Sequence, residues 1–323
     1  MIKALFTYDY GTEKMKKIEE LGYEIVMGKE NNHAFNNSKD YVTYNDELKD
    51  VEMLSCYNPF TTLDIGKMTK LKWIQLSSIG VDQVPKDIVN RNNIIVTNNR
   101  GGYSIPIAEW IVMSILQMMK NTNKFYKKQQ NKIWKMDGSV LELYGKTVGF
   151  VGTGTIAIEA AKRLSSFGVK ILGVNTKGRD IQYFDKCYSR AQTDDMLSRC
   201  DVVVGMVPGT KATYHLFNED RFKAMKDGVL FVNSARGSIV DENELIKNLK
   251  NGKVRAAALD VFEQEPLSLD NPLWEMENVI VSPHNSWISE MRNERRFNLI
   301  YNNMRSYIRG EELSNIVNLG KGY

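Results

Sequence analysis

Histidine and cysteine are scarce in this sequence, with three of each among 323 residues, and that scarcity sets the first limits on its chemistry. Cys56, Cys187 and Cys200 form no C-x-x-C pair, and neither a disulfide framework nor a zinc-type ligand cluster can be assembled around them. A reducing, cytoplasmic setting without a metal is therefore expected. Charge of one sign is also lacking. The 43 Lys and Arg against 39 Asp and Glu leave a formal net charge of only +4, with the basic residues dispersed among acidic ones, which disfavours nucleic acid and membrane surfaces as partners. No apolar run approaches the roughly 18 residues that cross a bilayer. The opening Met1-Ile2-Lys3-Ala4-Leu5-Phe6 soon reaches Asp9 and reads as a first strand, not as a leader peptide. Proline-rich linkers, low-complexity tracts and fixed-period repeats are missing too.

What is present is alternation. Short apolar runs at 2–7, 23–27, 51–55, 73–76 and 94–97 are separated by helical patterns, and a second series begins at 147–151 and continues through 170–174, 202–206, 229–233, 256–261 and 279–281. Strands alternating with helices argue for parallel sheets joined by crossover helices. A chain of this length exceeds the usual single core. The expected fold is α/β, with two Rossmann-like, doubly wound parallel-sheet domains and an active site in the cleft between them. One domain is expected to be discontinuous, from 1–98 and 288–323, and the other to span 99–287. The apolar helical pattern Ile105–Met119 is followed by a polar stretch to about Lys135, and a last helix is expected over Ser289–Arg309.

The segment Gly149-Phe150-Val151-Gly152-Thr153-Gly154-Thr155-Ile156-Ala157 closes one strand and opens a helix. Gly152 permits a tight turn, Gly154 allows a pyrophosphate close to the backbone, and Ala157 lets helix pack on strand. The phosphates would meet the free N–H groups of Thr155 and Ile156 at the positive end of the helix dipole. After the next strand, the place where an Asp or Glu would bind a ribose 2′-hydroxyl is held by Asn175, followed by Thr176, Lys177, Gly178 and Arg179. A carboxylate repels a 2′-phosphate, whereas an amide beside a hydroxyl and two cations can hold one. NADP(H) is therefore expected ahead of NAD(H), the alternative being a solvated basic loop.

From here the sequence resembles the D-isomer-specific 2-hydroxyacid dehydrogenase family, which includes glyoxylate, hydroxypyruvate and phosphoglycerate dehydrogenases. The resemblance is carried by Leu76-Ser77-Ser78-Ile79-Gly80-Val81-Asp82, by Asn99-Arg100-Gly101 running on to Pro106-Ile107-Ala108-Glu109, and by the glycine fingerprint. It continues in Val207-Pro208-Gly209-Thr210, Asn233-Ser234-Ala235-Arg236-Gly237, the stretch Ala258 to Pro266, and Ser282-Pro283-His284. Residues 1 to 70 match in pattern only.

The resemblance implies a catalytic set of Arg236, Glu265 and His284, and each residue type suits the chemistry. A 2-keto acid needs a clamp for its carboxylate, which the permanently charged, forked guanidinium of Arg236 supplies. It needs a proton for the oxygen that becomes negative, which an imidazole with a pKa of about 6.5 supplies from His284. Glu265 would fix the tautomer of that imidazole and favour its charged form. Formate dehydrogenases carry glutamine where this chain has Glu265, which disfavours that reading. The resemblance further places Val207, Pro208, Ser234, Ala235 and Asp260 along the cofactor, with Gly209 departing from the more usual leucine.

Ser78, Ile79 and Gly80 can aim successive backbone N–H groups at a substrate carboxylate, and Tyr103 and Trp287 are candidates for lining the substrate pocket. His33 and His215 have no such context and read as ordinary residues. A homodimer built on the cofactor domain is implied by the resemblance, with Ile105–Met119 as a candidate interface. The rival from another class is a dinucleotide-sensing regulatory or scaffold protein on the same fold, since fold alone does not dictate function. Phosphoglycerate dehydrogenase is the rival among enzymes.

Overall fold

The structure is a computed structural model that describes residues 1–28 and 42–322. His33 lies outside them. The chain divides into two compact units, Met1–Gly102 with Ser289–Tyr323, and Tyr103–Ile288.

The first unit is built on β1 (Ile2–Phe6), β2 (Tyr23–Met27), β3 (Met53–Cys56), β4 (Trp73–Leu76) and β5 (Ile95–Thr97), with α1 (Thr12–Glu20), α2 (Lys86–Arg91) and the C-terminal α9 (Arg292–Ile308). The sheet is parallel, in the order β2-β1-β3-β4-β5. β3 and β4 are buried along their whole length, so their apolar residues run on without alternating, as strands covered on both faces do. One face packs Leu5, Leu54, Ile74 and Val96 in a single cluster. The other packs Phe6, Tyr23 and Trp73 against Phe297, Ile300 and Met304 of α9. Those three helix positions recur three to four residues apart, so one stripe of the helix is buried. The segment Asn98–Gly102 groups with this unit because its backbone is tied there: Asn99 N–H donates to Ser78 O at 2.9 Å and Asn315 Nδ2 to Arg100 O at 2.8 Å.

In the second unit, α3 (Ser104–Met119) and α4 (Thr122–Gln130) lead into β6 (Thr147–Val151), α5 (Thr155–Leu164), β7 (Lys170–Asn175), β8 (Lys186–Ser189), α6 (Thr193–Leu197) and β9 (Val202–Gly205). There follow α7 (Glu219–Ala224), β10 (Val229–Asn233), α8 (Glu242–Lys250), β11 (Val254–Leu259) and β12 (Val279–Val281). The order β12-β11-β10-β9-β6-β7-β8 is parallel throughout. The chain moves outward from β6 to β8, then returns to lay β9 on the other side of β6. Ligands of open α/β sheets bind at such a switch, outside the carboxyl ends of the strands.

Two features depart from the sequence expectation. β8 was not foreseen: Lys-Cys-Tyr-Ser is short and polar at both ends, and it becomes a strand by pairing with the edge of β7, Gly173 opposite Cys187. The polar stretch after α3 contains α4, whose residues are nowhere buried. Among the described residues no helix is long and apolar enough to cross a membrane, and the three cysteines are free and buried.

Candidate active site

The glycine fingerprint falls at the switch between β6 and β9. Gly152 adopts φ +104°, and a Cβ there would stand 2.3 Å from the carbonyl oxygen of Met206, just beyond β9. Only glycine tolerates both the left-handed backbone and that approach. Gly154 is the N-cap of α5, no side chain caps the helix, and nothing lies within 4 Å of the position a Cβ would take. An uncapped helix N-terminus beside open space suits a phosphate. Ser104 Oγ donates to Thr155 Oγ1 at 3.0 Å, bracing the first turn.

Asn175 ends β7 in a different role from the one expected. Its Oδ1 accepts from the N–H groups of Lys177 and Arg179, at 3.3 and 2.9 Å, and its Nδ2 donates to Arg179 O at 2.8 Å. The amide is engaged in folding its own loop, while Thr176, Lys177 and Arg179 present exposed side chains.

Three loops at the carboxyl ends of β10, β11 and β12 carry the candidate catalytic set. Asn233, the buried last residue of β10, accepts from Ala235 N–H at 3.1 Å and donates to Arg236 O at 2.9 Å, which shapes the turn through Ser234 and Ala235 to Arg236. Arg236 Nη1 donates to Ala235 O at 2.7 Å. Gly209 abuts this side chain: a Cβ there would lie 3.1 Å from Arg236 Cγ. The turn also presses on the next loop, for a Cβ on Gly237 would meet the carbonyl carbon and oxygen of Phe262 at 1.9 Å.

Beyond β11, Glu265 folds back so that Oε1 accepts from Phe262 N–H at 3.1 Å, while Oε2 faces His284 Nδ1 at 2.9 Å. Burial pushes this carboxyl up. The hydrogen bond and charge of His284, the Phe262 N–H and the charge of Arg236 together outweigh it and hold the group below the usual range for Glu. Arg236, Glu265 and His284 therefore share one electrostatic neighbourhood.

His284 itself has φ +52°, and its turn is built around Asp260. That fully buried carboxylate accepts from Ser282 Oγ at 2.5 Å and from the N–H groups of Asn285 and Ser286 at 2.7 and 3.1 Å, while His284 N–H donates to Asp260 O at 2.8 Å. Trp287 Nε1 then donates to His284 O at 2.9 Å, and its ring meets Tyr103 edge-on at 5.4 Å. Val207 and Pro208 follow Met206 beyond β9, and Val207 stands beside Gly152.

His215, read from sequence as ordinary, pairs through Nε2 with Glu263 and stands 3.7 Å from Asp241, while its N–H donates to Ser238 O at 2.9 Å. It thus touches the neighbours of both Arg236 and Glu265. Residues so distant in sequence leave no signal of this in spacing. In the first unit, Ser78, Ile79 and Gly80 form the turn after β4.

Comparisons with known proteins place the chain in a family. Residues 112–286 match the model of the D-isomer specific 2-hydroxyacid dehydrogenase NAD binding domain. A glyoxylate reductase of Thermofilum pendens is 34% identical over 295 residues, covering 87% of this chain and 86% of that protein. The D-3-phosphoglycerate dehydrogenase of Methanocaldococcus jannaschii is 30% identical over 328 residues, covering 99% of this chain but 60% of the relative's length. The crystal structure of a D-isomer specific 2-hydroxyacid dehydrogenase from Xanthobacter autotrophicus Py2, in complex with NADPH and MES, superposes with a TM-score of 0.82 at 25% identity, covering 99% of each chain. The chain belongs to the D-isomer specific 2-hydroxyacid dehydrogenase family. Its class is that of the NAD(P)-dependent oxidoreductases of 2-hydroxy acids.

Proposed function

We propose that this enzyme reduces a small 2-keto acid of the glyoxylate and hydroxypyruvate class to the D-2-hydroxy acid, with NADP(H) ahead of NAD(H). The observation that carries the reading is the contact of His284 Nδ1 with Glu265 Oε2 at 2.9 Å, under the charge of Arg236. Glu265 accepts a hydrogen bond from Nδ1–H and so fixes the tautomer, leaving Nε2 to deliver a proton to the carbonyl oxygen and to recover it in the reverse direction. Arg236 grips the substrate carboxylate and stabilises charge as it develops on that oxygen. A bound nicotinamide supplies or takes up the hydride. Gly152, Gly154, Thr155 and Ile156 would hold its pyrophosphate, and Val207, Pro208, Ser234 and Ala235 would flank it. Asp260 is assigned a positioning role: it sets the His284 turn, and its carboxylate is already satisfied by that turn.

The cofactor preference rests on the loop after β7, where Lys177 and Arg179 are exposed and no carboxylate ends the strand. Asn175 acts there by folding the loop, and Thr176, Lys177 and Arg179 meet the 2′-phosphate. The relative solved with NADPH supports the same choice. Tyr103 and Trp287 are proposed to line the substrate pocket. Substrate binding is also assigned to the Ser78-Ile79-Gly80 turn. We further propose a cytoplasmic homodimer. α3 packs on α5, β10 and β11 of its own unit, so the surface proposed for a second copy is the exposed Met113 with the exposed Trp134, Met136 and Tyr144.

Absorbance at the nicotinamide band tests the proposal, with glyoxylate, hydroxypyruvate, pyruvate, phenylpyruvate and 3-phosphohydroxypyruvate offered with each cofactor. Turnover that is fastest with glyoxylate or hydroxypyruvate and NADPH is expected, and His284→Ala should lower kcat by about 10² to 10⁴ with cofactor affinity kept. Binding of NADPH without turnover of any keto acid would point instead to the sensor reading.

A further inference from the structure

We propose that Gln83 is a positioning residue that sets the anion-binding form of the Ser78–Gly80 turn; this rests on the reading that the turn receives the substrate carboxylate. Each carbonyl of the turn is held by a donor. Ser78 O accepts from Asn99 N–H at 2.9 Å, Ile79 O from Asn98 Nδ2 at 2.8 Å, and Gly80 O from Ser78 Oγ at 2.7 Å. Across a trans peptide the following N–H points away from the carbonyl. The N–H groups of Ile79, Gly80 and Val81 are thereby turned from these partners, and none of the three has an acceptor among the described residues. Successive free N–H groups of this kind form a nest for an anion.

Two of the three restraints come from fixed donors, but the third depends on which way a hydroxyl points. Ser78 Oγ can donate or accept, and Gln83 decides between the two. Its Nε2 donates to Tyr57 O and to Ser78 Oγ, both at 2.9 Å. The Tyr57 carbonyl fixes the amide orientation, because Oε1 in the same place would face another oxygen. Since Gln83 donates to Ser78 Oγ, the hydroxyl proton is left for Gly80 O. The same amide also ties the loop after β3 to the loop after β4. A glutamate at this position can only accept, so the Ser78 hydroxyl would turn to it, Gly80 O would lose its donor, and negative charge would stand beside the nest.

The test compares wild type with Gln83→Glu, Gln83→Ala and Ser78→Ala, using the keto acid that gives the fastest wild-type rate at saturating cofactor. Melting temperature is recorded alongside. Q83E should raise the keto-acid KM by about ten-fold, the loss of one hydrogen bond to a charged group, with kcat within about three-fold and cofactor KM unchanged. Q83A should raise it less, because Ser78 can still reach Gly80 O. Adding Ser78→Ala to Q83E should raise KM no further than Q83E alone, since both act through one hydroxyl. A folded Q83E with an unchanged keto-acid KM overturns the inference, as does a double variant whose effect is the product of the single ones. Wild-type protein that reduces no keto acid defeats the proposed function instead. Calorimetric titration of oxalate into wild type and Q83E then reads the nest directly, with weaker binding to Q83E expected and equal binding overturning the assignment.

Discussion

Nδ1 of His284 faces Oε2 of Glu265 at 2.9 Å, and Nε2 has no partner among the described residues, which makes Nε2 the atom available to a reacting oxygen. The two side chains come from loops after different strands, and each loop is fixed by its own backbone contacts: Phe262 N–H for Glu265, the buried Asp260 for His284. The pair is held from both sides before any ligand arrives.

Glu265→Gln keeps the shape but removes the charge. Reduction should slow by about ten- to a hundred-fold, because the imidazole loses the carboxylate that fixes its tautomer. Stability reports on the same group. A carboxyl held low in the folded state contributes stability that is full above its unfolded pKa of about 4.3 and is lost as pH falls through the folded value. Melting temperature against pH should therefore drop less steeply below pH 4 in the variant. Parallel curves for the two proteins would show that Glu265 is not held low.

Arg236→Lys should cost nearly as much as removing the side chain, with kcat/KM for the keto acid down by at least about a hundred-fold. A point charge cannot grip two oxygens in a plane. Steady-state kinetics with unchanged cofactor binding would check this, and a variant near wild-type activity would remove Arg236 from the substrate.

Replacing Lys177 and Arg179 by alanine should weaken NADPH selectively. Each cation lost from a phosphate contact costs about 1 to 2 kcal/mol, or roughly five- to thirty-fold in affinity. The KM for NADH should hardly change. Asn175→Ala should behave similarly at one remove, since Asn175 folds the loop that carries both cations. Equal losses with the two cofactors would mean that the loop does not read the 2′-phosphate.

Gly237→Ala is expected to lower kcat although the residue bears no functional group. Its Cβ would fall 1.9 Å from the Phe262 carbonyl, so the Arg236 turn and the Glu265 loop must part. Misplacement by about 1 Å costs of the order of a hundred-fold in rate. A crystal structure or a simple activity assay of the variant would decide it, with wild-type turnover as the contrary outcome.

Much of this molecule was open to reading along the chain. Local rules suffice where a residue acts through its own backbone neighbourhood: the apolar runs that became β6, β7 and β10, the positive φ demanded of Gly152, and the placing of Arg236 and His284 just beyond strand ends. The motifs themselves led to Glu265, which spacing alone would have left as a solvated turn.

Tertiary structure decided what depends on contacts between distant positions. Edge pairing made β8 a strand where periodicity gave none. The carboxylate of Asp260 is satisfied by a turn more than twenty residues later, and the Asn175 amide is closed on its own loop. His215 has no motif around it in sequence and is held between Glu263 and Asp241, while Gln83 fixes a hydroxyl rotor from the next turn of chain. Hydrogen bonds are short and directional, so such partnerships exist only once packing has brought the loops together, and the order of residues along the chain carries no record of them.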